Sequence, residues 1–197
     1  MTDTTKTNDG LRAITRDMVR QQLSDVAVDL FAEHGFERVT VEQVAAAAGV
    51  SVRSVHRYFP AKEDMVVGPL AAYGEDVRDA LEDRPAGEPV MASLHTAFAT
   101  MLRQRPQTQR DKVAIRLLSS TPSLHARNAG KHLAWARLLE PLIAERLRGE
   151  DAELRARVLV QASLGAFSTA LAAWADEGEE RGLHELLQVA FLTLERA

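Results

Sequence analysis

Cysteine is absent from this 197-residue chain, so disulfides, thiolate metal sites and a cysteine nucleophile are excluded. A glycine-rich phosphate loop, a nucleophile elbow and a paired-histidine metal motif are missing as well. The six histidines lie far apart; His125 and His132 are two helical turns from each other and have no obvious third ligand. Neither a metal nor another cofactor is expected, and an enzyme is a poor reading. No uninterrupted apolar run approaches the roughly twenty residues that span a bilayer. The first fourteen residues, MTDTTKTNDGLRAI, lack the apolar segment of a secretory leader. A cytoplasmic protein with no membrane partner is therefore expected. No alternating strand pattern, internal repeat or low-complexity tract occurs, which leaves an all-α chain punctuated by proline and glycine.

The most informative absence is local. The formal net charge is −4, and residues 1 to 65 carry eight Lys or Arg against ten Asp or Glu, so there is no broadly basic domain. Between Glu42 and Glu63, however, there is no carboxylate, while Arg53, Arg57 and Lys62 fall in that window, so the segment is cleared of repulsion towards a polyanion. From Thr40 to Lys62 it reads TVEQVAAAAGVSVRSVHRYFPAK. Thr40 and Gln43 have the spacing of a capping box, and Val39 and Val44 that of a hydrophobic staple. Gly49 ends the first helix. Ser51 caps a second, Val50 and Val55 are placed to staple it, and Pro60 stops it. A helix of about two and a half turns is not stable alone, so Val44, Ala45, Val55 and Phe59 must anchor it. Its other face carries Ser51, Val52, Arg53, Ser54, His56, Arg57 and Tyr58, whose hydroxyls, guanidinium groups and rings suit phosphates and base edges. This is the pattern of a helix-turn-helix that reads double-stranded DNA. An amphipathic helix with a solvated basic face is the plainer alternative; the coincidence of caps, turn and charge clearing argues against it.

Over Val19 to Val66 these residues resemble the tetracycline-repressor-like (TetR-like) transcriptional regulators of bacteria. The match begins with Val19, Leu23, Val26, Ala27, Leu30 and Phe31 at helical spacing. It continues through His34-Gly35-Phe36, Thr40, the alanine run, Gly49-Val50-Ser51, Tyr58-Phe59 and Lys62-Glu63. The resemblance implies an all-helical homodimer with a three-helix DNA-binding domain over 15–62 and an effector-binding and dimerisation domain over 63–197, about nine helices in all. Residues 1–14 are expected as a flexible arm, in which Lys6 or Arg12 is a candidate for the minor groove. By the same resemblance Thr40 and Lys62 contact phosphates, as do Ser51, Ser54 and Tyr58, while Val52, Arg53, His56 and Arg57 face base edges. Arg53 is the leading candidate for a specific contact, since arginine can bond both acceptors of a guanine. Three positions depart from the family pattern. His56 replaces a more usual tyrosine or phenylalanine. Ala61 leaves the fourth helix weakly capped, so that Glu63 and Asp64 must supply favourable charge there. Gly68-Pro69 interrupts that helix, either as a joint for ligand-driven motion or as a kink tolerated for packing.

Beyond residue 63, breaks at 84–89, Pro106, Pro122 and Gly149 separate further helices. Leu94, His95, Phe98, Met101, Leu118, Trp135, Phe167 and Trp174 are candidates for a pocket, each of which could equally be ordinary core. His95 and His132 are the candidate polar groups that would orient a ligand there. The last two helices, about 151–176 and 183–196, carry small residues at helical spacing and an apolar stripe. Val158, Ala162, Gly165, Thr169, Leu183, Leu187 and Phe191 are therefore candidates for a four-helix dimer interface, although an intramolecular core explains the stripe as well. The functional expectation is a repressor released from a pseudo-palindromic operator by a small, mostly apolar effector. The alternative is a helical ligand-binding or interaction module without specific DNA binding.

Overall fold

Ten α-helices and no strand occur among the described residues of the computed structural model, which covers the backbone of residues 4–196 and the side chains of residues 15–196. Residues 4–14, expected within a flexible arm, instead form the start of the helix α1 (Thr4–His34), and the side chains of Lys6 and Arg12 lie outside the described residues. The chain divides into two compact units, Met1–Pro69 and Leu70–Ala197.

The first unit is built on α1 (Thr4–His34), α2 (Val41–Ala47), α3 (Val52–Tyr58) and the start of α4 (Asp64–Ala71). Its core joins Leu23, Ala27, Val28 and Phe31 of α1 to Phe36, Val39, Val44, Val55, Phe59 and Met65, all nearly inaccessible. Phe31 and Phe36 meet edge to face with centroids 4.8 Å apart, a favoured aromatic geometry. Helices of seven residues cannot stand alone; Val44, Val55 and Phe59, at 0% exposure, are what hold α2 and α3 in place.

The fourth helix expected from the sequence is two helices, which raises the count from about nine to ten. The break does not fall at Gly68-Pro69. Pro69 sits inside α4, and the helix ends at Ala71 before α5 (Tyr73–Glu82) begins. Pro69 has no N–H for the carbonyl of Met65, four residues earlier. That carbonyl instead accepts a 2.6 Å hydrogen bond from the buried Ser24 hydroxyl of α1, so the proline is accommodated without an orphaned acceptor. At the start of α4 the missing cap at Ala61 is made good by Asp64, whose carboxylate accepts from the Ala61 N–H at 3.1 Å.

The second unit contains α5, α6 (Val90–Arg103), α7 (Gln109–Ser120), α8 (Pro122–Arg146), α9 (Ala152–Ala175) and α10 (Leu183–Arg196). Its core is centred on Phe98, which stacks on Phe167 at 4.8 Å and lies 5.9 Å from Phe191. Trp135 adds a further face 6.0 Å from Phe167. Two local devices set the helix ends. Thr108 and Asp111 form a capping box on α7, and Pro122 stands at the first position of α8, where its missing N–H costs nothing. The Arg146 guanidinium ties the end of α8 to the end of α5 by bonding the carbonyls of Leu81 (2.6 Å) and Arg84 (3.1 Å). Among the described residues, α9 is long and apolar enough to cross a membrane by length and composition. Ala156, Val160, Leu164, Phe167, Ala170 and Trp174 nevertheless place one side of it in the core.

Candidate nucleic-acid interface and effector cavity

The α2–turn–α3 segment is fixed by its own side chains. Thr40 accepts from the Gln43 N–H at 3.3 Å while the Gln43 amide oxygen accepts from the Thr40 N–H at 2.8 Å, a reciprocal capping box. Gly49 turns the chain at φ +68, in the left-handed region that only glycine enters freely. Ser51 then caps α3 by accepting from the Ser54 N–H at 3.1 Å. The helix is about two turns long, shorter than expected, because Phe59 precedes Pro60 and is driven to an extended conformation (φ −135, ψ 102).

With Val55 and Phe59 turned inward, α3 leaves Ser51, Arg53, His56 and Arg57 exposed and Val52, Ser54 and Tyr58 half-buried. Thr40 is exposed beside them at the start of α2. Several of these groups already have partners. The Ser51 and Ser54 hydroxyls lie 2.9 Å apart, and Arg57 donates to the Tyr58 hydroxyl at 3.3 Å. Lys62, expected as a phosphate contact, has its ammonium 2.8 Å from the Phe36 carbonyl and 3.2 Å from that of Val39, 4.2 Å from the Phe36 ring centroid. It therefore fastens the connection between α1 and α2, which the sequence did not reveal because the bonded carbonyls lie 26 and 23 residues away.

The second unit holds a cavity of about 600 Å³ that is partly open to solvent, within the range of small-molecule sites. Met101, Leu118, Trp135, Phe167 and Trp174, all expected at a pocket, line it. Leu94 and Phe98 do not: both are fully buried in the core behind it. His95 is absent from the wall too, because its ring packs 5.2 Å from Phe191. His132 does reach the cavity, with Nε2 3.3 Å from the Ser168 hydroxyl. Burial and the neighbouring Lys131 charge push its pKa down to about 4, so it is neutral near pH 7.

Sequence reasoning missed Asn128, Lys131 and Arg105 on the wall. Asn128, Lys131, His132 and Trp135 follow the i, i+3, i+4, i+7 spacing of one face of α8, a signal that was available. Lys131 is only 8% exposed, and its ammonium lies 4.5 Å from the Trp135 ring centroid. Burial alone pushes its pKa down to about 8. Arg105, by contrast, is paired with Asp76 and covers the Tyr73 ring at 3.9 Å. Trp135 also connects the cavity to the backbone, since its indole N–H donates to the Ala71 carbonyl at 3.2 Å. A Cβ on Gly74 would stand 2.5 Å from the indole Cδ1, so the close approach of the ring to α5 requires glycine.

The expected interface residues separate into two groups. Leu183, Leu187 and Phe191 are buried within the unit itself, at 3%, 0% and 2% exposure, so that part of the stripe is intramolecular core and not dimer interface. Gly165, Thr169 and Leu183 also line the cavity. On α9, Val158, Gly165 and Thr169 are exposed and Ala162 half-buried; Leu154, Val189 and Leu192 are further apolar side chains left at the surface of α9 and α10.

The family model for bacterial regulatory proteins of the tetR family matches residues 23–67, and the model described as the MftR C-terminal domain matches residues 85–197. The chain is similar to the mycofactocin biosynthesis transcriptional regulator MftR of Mycobacterium tuberculosis, at 27% identity over 89% of each chain. It is 33% identical to the HTH-type transcriptional regulator TcmR of Streptomyces glaucescens, over 83% of this chain and 68% of that protein. Among solved structures it shares its fold with NalD, the secondary repressor of the MexAB-OprM multidrug efflux pump in Pseudomonas aeruginosa. That superposition has a TM-score of 0.63 at 16% identity and covers 92% of this chain and 96% of that one.

Proposed function

The chain belongs to the tetR family of bacterial regulatory proteins and is a DNA-binding transcriptional regulator, and from that premise we propose that it is a cytoplasmic repressor released from its operator by a small, mostly apolar effector. The observation that carries this reading is the bond between the cavity wall and α4. The Trp135 indole on the cavity wall holds the carbonyl of Ala71, the last residue of α4. An effector that displaces the indole alters the end of a helix that begins at Asp64, five residues after Phe59 of the recognition segment.

DNA reading would fall to Arg53, His56, Arg57 and Val52 at base edges, with Thr40, Ser51, Ser54, Tyr58 and Lys62 at or supporting the phosphate contacts. The chain would act as a homodimer built on the exposed residues of α9 and α10, with Leu154, Val158, Val189 and Leu192 as its apolar anchors. Two recognition helices about 34 Å apart then require a pseudo-palindromic operator. Coupling is reciprocal, so operator DNA must weaken the effector by the factor by which the effector weakens DNA.

The test is a reporter driven by the promoter region beside the chain's own gene, measured with the chain present and deleted. Repression predicts higher output on deletion. Lower output would make the regulator an activator, and unchanged output would remove the neighbouring promoter as its target.

A further inference from the structure

Lys131 is more than nine-tenths buried, lines an otherwise largely apolar cavity, and has no carboxylate partner among the described residues. The other ionised groups on the wall are either paired with an opposite charge, as Arg105 is, or exposed to solvent, as Asp111 is. Arg105 bonds the Asp76 carboxylate, and the Asp111 carboxylate accepts from the N–H and hydroxyl of Thr108, both at 2.7 Å. A buried ammonium left against a tryptophan face is costly to keep, since burial disfavours its charged form. A methionine of similar length would fill the space without that cost. The arrangement makes physical sense when a ligand supplies the missing charge.

We propose that the effector is an amphiphilic monoanion, with a carboxylate bound by the Lys131 ammonium and an apolar body lying along Met101, Leu118, Phe167 and Trp174. One unpaired cation matches one negative charge; a phosphate dianion would leave a net charge buried. Asn128, one helical turn before Lys131, supplies a second polar point, because its buried amide oxygen has no partner. It fits a hydroxyl or amide N–H near the carboxylate. This inference rests on the reading of the cavity as the effector site.

The test uses the full-length chain and its Lys131→Met variant, titrated with decanoate and 2-naphthoate, each beside its methyl ester and the matching primary amine. Calorimetry reads all of them. The alkyl set is also read by tryptophan emission, since the chain's two tryptophans, Trp135 and Trp174, both line the cavity. At least one carboxylate is expected to bind the wild type about tenfold or more tighter than its ester, the scale of a charge-assisted hydrogen bond, with the amine weakest. In Lys131→Met the acid and the ester should bind alike. Removing an unpaired buried charge leaves the variant folded, which circular dichroism checks. Equal binding of acid and ester to the wild type, or an acid preference that persists in Lys131→Met, overturns the anion assignment while an apolar effector site survives. Failure of every probe to bind overturns the anion and the effector site together. Lys131-dependent binding that leaves operator affinity unchanged upholds the anion and refutes release by effector.

Discussion

Replacing Lys131 by methionine should stabilise the unliganded protein, and the gain should depend on pH. Burial lowers the lysine pKa from an ordinary 10.5 to about 8. At about 1.4 kcal/mol per pH unit, this corresponds to about 3 kcal/mol of folding free energy forgone wherever both folded and unfolded lysines are protonated, that is, below about pH 8. Between pH 8 and 10.5 the unfolded chain binds more protons than the folded one, so wild-type stability rises with pH through that window. The methionine variant lacks the group and does not share the rise. The difference between the two proteins should therefore be about 3 kcal/mol near pH 7 and fall to about 1.4 kcal/mol at pH 9.5. For a chain of this size the neutral-pH difference is an increase in Tm of about 5–10 °C. Thermal unfolding of both proteins at pH 7 and pH 9.5, followed by circular dichroism, reads it. A wild type at least as stable as the variant at pH 7, or a difference unchanged at pH 9.5, would refute the argument that Lys131 is a buried, unpaired charge.

Gly74→Ala puts a methyl group into the Trp135 indole and should cost about 1–3 kcal/mol by overpacking. Gly130→Ala on exposed α8 surface meets nothing and should gain up to about 1 kcal/mol; thermal unfolding of the pair distinguishes packing from propensity. Ser24→Ala should cost about 1–2 kcal/mol by orphaning the Met65 carbonyl. That cost should shrink in a Pro69→Ala background, where residue 69 regains the N–H the carbonyl lacks; denaturant unfolding of the double-mutant cycle measures the coupling. Arg53→Ala should relax base preference by about 1–3 kcal/mol at one operator position. Lys62→Met should instead lower the stability of the first unit, because the ammonium bonds two backbone carbonyls. Competition binding and thermal unfolding of both variants separate the two effects.

The α2–turn–α3 segment was legible in the sequence because its determinants are local. Thr40 meets Gln43, Ser51 meets Ser54, and Gly49 takes the turn within a few residues of each. Most helix limits in the second unit were legible for the same reason, marked by Pro106, Pro122 and the glycine near 149. The break at Ala72 was not. Gly68-Pro69 looked like the interruption, but the carbonyl that Pro69 frees is satisfied by Ser24, 41 residues upstream in sequence. Long-range partners likewise decided which apolar residues became cavity wall. Phe98 and Trp135 are alike in sequence character, yet Phe98 is enclosed by Phe167 and Phe191 while Trp135 keeps one face on the cavity. Lys131 reads as a surface residue in a chain with 24 Lys and Arg, and only the packing around α8 buries it. The stripe of α10 gave the right face but not its partner, which is the unit's own core.

The most direct test of the account is a titration of the purified chain against the intergenic DNA flanking its own gene, beside an unrelated duplex of equal length, both at near-physiological salt. A specific regulator with a recognition helix at α3 predicts saturable binding at least about a thousandfold tighter than the control, lost to the control level in Arg53→Ala combined with Arg57→Ala. Equal, weak and salt-sensitive binding to that DNA and the control, repeated across duplexes selected from random sequence, would contradict it.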